Sequence, residues 1–124
     1  MTPVIKDAGT KHVSAIAIEM KDLATRAREG KLAATDYQGG TASLTNLGMY
    51  GVKQFDAVIN PPQALIVAVG AGEKRCVVVD DAMQIAVVLS ATGSFDHRAI
   101  DGAVGAEFMA AFKGLLQRPL ALLG

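Results

Sequence analysis

The alternation of apolar and polar positions divides the chain into short segments with turn signals between them. The opening "PVIKDAG" (Pro3 to Gly9) reads as a short strand closed by a turn. From about Ser14 to Glu29 the period changes. Ile16, Met20, Leu23 and Ala27 recur on one face of a 3.6-residue repeat, so a helix is predicted, with Ser14 as its N-cap and Gly30 as its stop. "TASLTNLG" alternates small polar and apolar residues, a strand running into a glycine turn. "MYGVKQFDAVINPPQ" has no period, and its two glycines and its Pro61-Pro62 pair predict an extended, turn-rich connection. "ALIVAVG" and "RCVVVD" are continuous β-branched runs of the kind found in strands buried on both faces. "DDAM" then turns the chain into "QIAVVLSATGS", which makes Arg75 to Leu89 a β-hairpin. A second helix is expected from near Asp101 to about Gln117. Val104, Phe108, Ala111, Phe112 and Leu115 form its apolar face, Asp101 its cap and Pro119 its end. Strands accompanied by two helices, with no repeat or linker, predict one α/β domain: a two-layer sandwich of a mixed sheet with helices on one side.

Composition narrows what such a domain can do. At 124 residues and 51% apolar, the chain can build a true core, burying roughly 65–70% of the surface it exposes when unfolded. Twelve basic and twelve acidic residues cancel, leaving no field to attract nucleic acid or an anionic membrane, and few aromatics are available for base stacking. Cys76, the single cysteine, excludes an internal disulfide and a cysteine-cluster metal site; its apolar surroundings predict a buried, inert thiol. The start of the chain does not resemble a signal peptide, and no apolar run approaches the ~20 residues of a membrane span. A reducing compartment, the bacterial cytoplasm or its equivalent, is the expected setting.

Candidate chemistry concentrates in "SFDHRAIDG", Ser94 to Gly102. His97 and Asp101 lie four residues apart where a strand gives way to a helix. On a turn or helix such positions face the same way, and a carboxylate there can orient an imidazole and raise its basicity. The same residues support a purely architectural reading, in which Asp101 caps the helix and Arg98 pairs with Asp96. Spacing alone leaves both open. A metal site is not expected, because His12 is distant and no second ligand cluster exists.

Two stretches nevertheless carry a resemblance. "FDHRAIDGAVGAEFM" resembles the signature of the 2-oxoacid dehydrogenase acyltransferases, Asp-His-Arg-x-x-Asp-Gly, matched by Asp96, His97, Arg98, Asp101 and Gly102. "TASLTNLGMYGVKQFDAVINPPQALIVAVGAGE" is similar to the segment that precedes it in that family. The resemblance runs from "TPVIKDAG" onward and looks closest to the acetyltransferases of pyruvate dehydrogenase complexes. It implies a chloramphenicol acetyltransferase-like fold assembled as trimers, and transfer of an acetyl group between dihydrolipoamide and coenzyme A. His97 matches the family's general base. Thr45 matches its hydroxyl residue, which donates to the oxyanion. Asp101 matches a residue that holds the loop, often by pairing with an arginine elsewhere. Hydroxyl and histidine meet across a subunit boundary in the family, so one copy would hold two half-sites.

The resemblance further implies that residues 1–124 are the C-terminal portion of a catalytic domain about twice as long. The lipoyl and peripheral-subunit-binding domains fall outside it. Lipoyl groups would then arrive on a separate domain, and the partners would be further copies together with the decarboxylase and dihydrolipoamide dehydrogenase subunits. No metal, nucleic acid or membrane is expected to take part. The alternative is an assembly fragment that oligomerises without turnover. The antibiotic acetyltransferases that share the fold are a more distant comparison, less similar at "TNLGMYG" and "INPPQA".

Overall fold

The structure is a computed structural model and describes residues 2–120. The chain forms two compact units: one runs to Gly40 and includes the chain from Ala106 onward, and the other is Thr41–Gly105.

In the first unit, α1 spans Val13–Arg28 and α2 is the single turn Ala34–Tyr37. The first helix begins one residue earlier than its pattern suggests. His12, extended at φ −68° and ψ 152°, is the N-cap in place of Ser14, and its carbonyl accepts the Ile16 N–H at 3.1 Å. Gly30 ends the helix with φ +69°, a left-handed conformation that glycine adopts without steric cost. Leu23 is the buried centre of the apolar stripe, whereas Met20 is half exposed. The strand expected over Pro3–Gly9 does not form. Val4 donates its N–H to the Asp36 carbonyl of α2 at 2.7 Å, and Asp7, at φ +50°, turns the chain into a 3-10 turn over Ala8–Thr10. Proline at position 3 also removes a donor that a sheet would need. Asp36 ties the unit together by accepting from the Ala33 N–H at 2.9 Å and from Arg26 at 2.6 Å, both of which hold its carboxyl below the usual range.

The second unit holds the five strands found among the described residues: β1 (Ala42–Asn46), β2 (Leu65–Val69), β3 (Glu73–Val79), β4 (Ala82–Val88) and β5 (Ala91–Phe95). The expected mixed sheet is β1-β2-β5, with β1 parallel and β5 antiparallel to the central β2. Ile66, Val67 and Ala68 of β2 are buried, which fits the continuous apolar run in "ALIVAVG". The long connection from β1 to β2 is irregular, as expected, with a 3-10 turn at Gly48–Tyr50 and a cis Pro61–Pro62 bond. β3 and β4 make the predicted hairpin, turning on Asp80 and Asp81, both at positive φ as a two-residue hairpin turn requires.

Two expectations about burial fail here. β3 is not buried on both faces, and Cys76 is exposed. The hairpin pairs only with itself, so the face carrying the cross-strand pairs Cys76–Ile85 and Val78–Met83, with Val87 beside them, stays open among the described residues. The third apolar segment also divides into two strands. β4 pairs with β3, and after Leu89 and Ser90 the chain enters β5, which pairs with β2.

The last helix, α3, spans Gly102–Gln117. Its expected stripe is rotated: Val104, Phe108 and Leu115 are exposed, while the better-covered positions are Gly105, Met109 and Phe112. The reason lies at Gly105, where an added Cβ would sit 3.2 Å from Cδ2 of Phe95. The absence of a side chain there lets the first turn of α3 approach β5, and that approach sets the rotation.

Candidate active site

The His97 loop is built from the end of β5. Asp96 donates its N–H to the Ala64 carbonyl at 2.8 Å, extending the β2–β5 ladder by one residue. Its own carbonyl accepts the N–H groups of Ala99 and Ile100, each at 2.9 Å, which coils the chain toward α3. Its carboxylate accepts three more bonds, all from Arg98: the backbone N–H at 3.0 Å, Nε at 3.0 Å and Nη2 at 2.8 Å. The Arg98 guanidinium, and then the Arg98 N–H, pull the Asp96 pKa down to about 2. His97 lies between these two bonded residues with its side chain exposed.

Asp101 accepts the Val104 N–H through Oδ1 at 2.9 Å, and its carbonyl accepts the Gly105 N–H at 3.0 Å. It is therefore the cap of α3. Among the described residues it makes no ion pair with an arginine and no hydrogen bond with His97. The Asp101 cap and the Asp96–Arg98 pair of the architectural reading are thus both present, and neither occupies the imidazole.

Thr45 lies on β1 opposite Ala68, which lies opposite Thr92 on β5, so the three share one face of the sheet. Ser43, one pleat away on that face, bonds Gln63. The Thr45 hydroxyl has no hydrogen-bond partner among the described residues, so its proton is available to a bound group. The register keeps Thr45 and His97 apart within one copy. Phe95 is level with Leu65 and Ala42. Thr45 is three residues further along β1 and two strands across, which puts it ~14 Å from Phe95, and His97 lies beyond Phe95 on the side away from Thr45.

Two architectural residues at the Thr45 end escaped the sequence reading. Asn46 accepts the Gly48 N–H at 2.8 Å and closes β1 immediately after Thr45. Gly70 passes so close to the Lys53 carbonyl that no side chain fits. "TNLG" is a recognisable Asn-to-turn pattern; nothing local in "AVGAG" announces which glycine meets another segment. No group of three or more His, Cys, Asp or Glu side chains that could hold a metal occurs among the described residues, and no helix among them is long and apolar enough to cross a membrane.

Compared with solved structures, the chain is similar to acetyltransferase cores. The chain superimposes on the dihydrolipoamide acetyltransferase of Azotobacter vinelandii with a TM-score of 0.91 at 34% identity, covering 98% of this chain and 50% of that one. That structure was determined to investigate a serine, a histidine and an asparagine in the catalytic mechanism. The cubic core of the pyruvate dehydrogenase multienzyme complex matches equally well, with a TM-score of 0.91 at 33% identity over 98% of this chain and 50% of that one. These matches bear out the expected chloramphenicol acetyltransferase-like α/β fold.

In sequence, the chain is 59% identical over 123 residues to the dihydrolipoyllysine-residue acetyltransferase component of the pyruvate dehydrogenase complex of Zymomonas mobilis, covering 99% of this chain and 28% of that protein. Residues 1–124 match the 2-oxoacid dehydrogenases acyltransferase (catalytic domain) family, and the chain belongs to it. It spans half the length of the solved cores and less than a third of the Zymomonas relative.

Proposed function

We propose that the chain contributes to an acetyltransferase site that exchanges acetyl groups between dihydrolipoamide and coenzyme A, within the core of a pyruvate dehydrogenase complex. The observation that carries this is a matched pair of intervals. The separation from serine to histidine in the Azotobacter enzyme equals that from Thr45 to His97, and the separation from its histidine to its asparagine equals that from His97 to Asp101.

In this reading the imidazole of His97 takes the proton of the coenzyme A thiol as its sulfur attacks the thioester carbonyl of acetyl-dihydrolipoamide. A neutral imidazole has a free ring nitrogen that can accept the thiol proton as the sulfur attacks. The carbonyl π pair moves onto oxygen, and Thr45 donates its hydroxyl hydrogen to that oxyanion. Collapse of the tetrahedral intermediate re-forms the carbonyl and breaks the bond to the dihydrolipoamide sulfur, which leaves with the proton held on His97. Asp101 fixes the start of α3. That its counterpart is an asparagine in the Azotobacter enzyme agrees with a role that needs an acceptor and no charge.

Because the sheet register separates the two residues within one copy, the working site takes His97 from one copy and Thr45 from another. Self-association is supported by the open apolar face of Cys76, Val78, Met83, Ile85 and Val87, which a lone copy leaves in water. A trimer-based core that meets the decarboxylase and dihydrolipoamide dehydrogenase subunits in a reducing compartment completes the proposal.

The test is acetyl transfer with free dihydrolipoamide and acetyl-coenzyme A. His97→Gln is expected to lower kcat by about 10²–10⁴-fold and Thr45→Ala by about 10²–10³-fold. When the two inactive variants are dissociated, mixed and reassociated, activity returns in sites that combine an intact His97 with an intact Thr45. Transfer unaffected by His97→Gln refutes the base. An assembled wild-type chain that does not transfer at all favours the assembly-fragment reading.

A further inference from the structure

We infer that Asp96 is the positioning residue of the His97 loop, holding the backbone of the base from both sides through its own main chain and through Arg98. The inference rests on the reading of His97 as the base. Every polar group of Asp96 is engaged, and the partners point in three directions. Its N–H is bonded back to the sheet at Ala64, and its carbonyl forward to Ala99 and Ile100. Its carboxylate is bonded across His97 to Arg98, which it meets at the main chain, at Nε and at Nη2. His97 is the single residue between the two partners of that clasp. Its peptide units are therefore closed into a ring on one side and joined to the most buried strand of the unit on the other.

The chemistry of the clasp explains why an aspartate and an arginine stand there. Oδ1 serves both the Arg98 N–H and Nε, and Oδ2 serves Nη2. An asparagine can keep the first oxygen but turns an NH₂ donor toward a guanidinium that is itself only a donor. A lysine cannot offer two donors in a fixed fork. The Arg98 side chain is 88% exposed, so solvent weakens the pair, and its main effect is directional. A charge-held carboxylate near pKa 2 keeps the clasp closed across the pH range in which a histidine base works.

The experiment uses the whole chain and the variants Asp96→Ala, Asp96→Asn, Arg98→Ala and Asp96→Asn/Arg98→Ala. Two readouts need no turnover. Hydrogen exchange of the segment 96–100 is expected to quicken about tenfold or more in Asp96→Ala and less in Asp96→Asn, which keeps the bond to the Arg98 N–H. The rate at which diethyl pyrocarbonate modifies His97 is read against His12, the only other histidine; the ratio is expected to change severalfold in Asp96→Ala and to return toward wild type in Asp96→Asn.

In the acetyl-transfer assay, Asp96→Ala is expected to lower kcat by about 10–100-fold with KM within twofold, as a misplaced base does. Asp96→Asn and Arg98→Ala should each cost less, and the double variant should cost no more than either single one. An unchanged His97/His12 ratio in Asp96→Ala overturns the inference. So does a kcat that stays at wild type while the segment opens, or an additive double variant. If Asp96→Ala fails to fold, Asp96→Asn and Arg98→Ala decide alone. Failure of the base reading is seen separately, as transfer indifferent to His97→Gln with the clasp intact.

Discussion

Gly70 gives the most direct test of how the Thr45 end of the sheet is built. A Cβ at this position would overlap the Lys53 carbonyl oxygen, with the Lys53 carbonyl carbon at 2.6 Å and the Val52 oxygen at 3.0 Å. These are backbone atoms, so no side-chain rotation relieves the clash, and Gly70→Ala must push the 52–53 segment away from the end of β2. That segment is held there by the Ala71 N–H bonded to the Val52 carbonyl at 2.7 Å. Losing this bond costs about 1 kcal/mol, and overpacking at a closed site adds about 1–3 kcal/mol, for a total of about 2–4 kcal/mol. In a chain of this size the thermal midpoint should fall on the order of 10 °C. Circular dichroism of Gly70→Ala beside Gly9→Ala provides the assay, because Gly9 has no atom within 4 Å of its Cβ position and should move by no more than about 2 °C. Gly70 and Ala71 themselves lie against Gly48, just past the strand that carries Thr45, so transfer activity should fall with the midpoint. A Gly70→Ala midpoint equal to that of Gly9→Ala refutes this close packing of Gly70 on Lys53.

Three further outcomes follow from other parts of the molecule. Val67→Ala, at a position only 3% exposed, should cost about 2–3 kcal/mol in a urea titration through lost burial and an unfilled cavity, whereas a cost below 1 kcal/mol would show that β2 is not the core strand. Asp101→Ala should lose the α3 cap for about 1 kcal/mol, while Asp101→Asn, which retains an acceptor, should keep both stability and transfer; equal losses in the two variants would assign the carboxylate a charge-dependent role instead. The folded state depresses the Asp96 pKa from 3.8 to about 2, so its contribution to stability is complete above pH 3.8 and is lost as the pH falls toward 2. The acid limb of the urea midpoint should accordingly be shallower in Asp96→Asn than in wild type between pH 5 and 2, and superimposable limbs would contradict the clasp.

What the sequence displayed, and what it hid, divides along the range of the forces involved. β2 was legible because burial on both faces imposes a continuous apolar run, and α1 because a one-sided helix imposes a period. Both are local consequences of the environment of one element. The hairpin turn at Asp80-Asp81 and the stop at Gly30 were legible for the same reason, since left-handed backbone selects its residues locally. Burial of β3 was not legible because a β-branched run reads the same whether or not another surface covers the strand, and β3 is open on the face of Cys76 and Val78. The rotation of α3 was hidden because it depends on Gly105 meeting Phe95, a contact between residues whose apolar pattern carries no sign of each other. At the site, the His97–Asp101 spacing was visible, but the role of Asp96 was not. Its six hydrogen bonds involve Ala64, more than thirty residues earlier, and three backbone groups that have no signature in side-chain identity.

The two half-sites nevertheless share one reference element, and this constrains how the proposed site can fail. β2 anchors the histidine end through the Asp96 N–H on the Ala64 carbonyl, and the threonine end through the Leu47 N–H on the Val69 carbonyl at 3.2 Å. A slip of β1 by one residue against β2 would carry Thr45 to the opposite face and leave the His97 loop untouched; a slip of β5 would do the reverse. Within a copy, then, the two proposed catalytic groups are held at a fixed spacing by the strand least able to move. Between copies, that spacing has meaning only if the assembly brings the end of one sheet to the opposite end of another. A substitution on the exposed face of Val78, Met83 and Ile85 can therefore leave the unfolding midpoint of a copy unchanged and still abolish transfer, if that face is what holds the copies in place. Loss of activity at constant monomer stability is the signature that distinguishes a site shared between copies from one completed within a single chain.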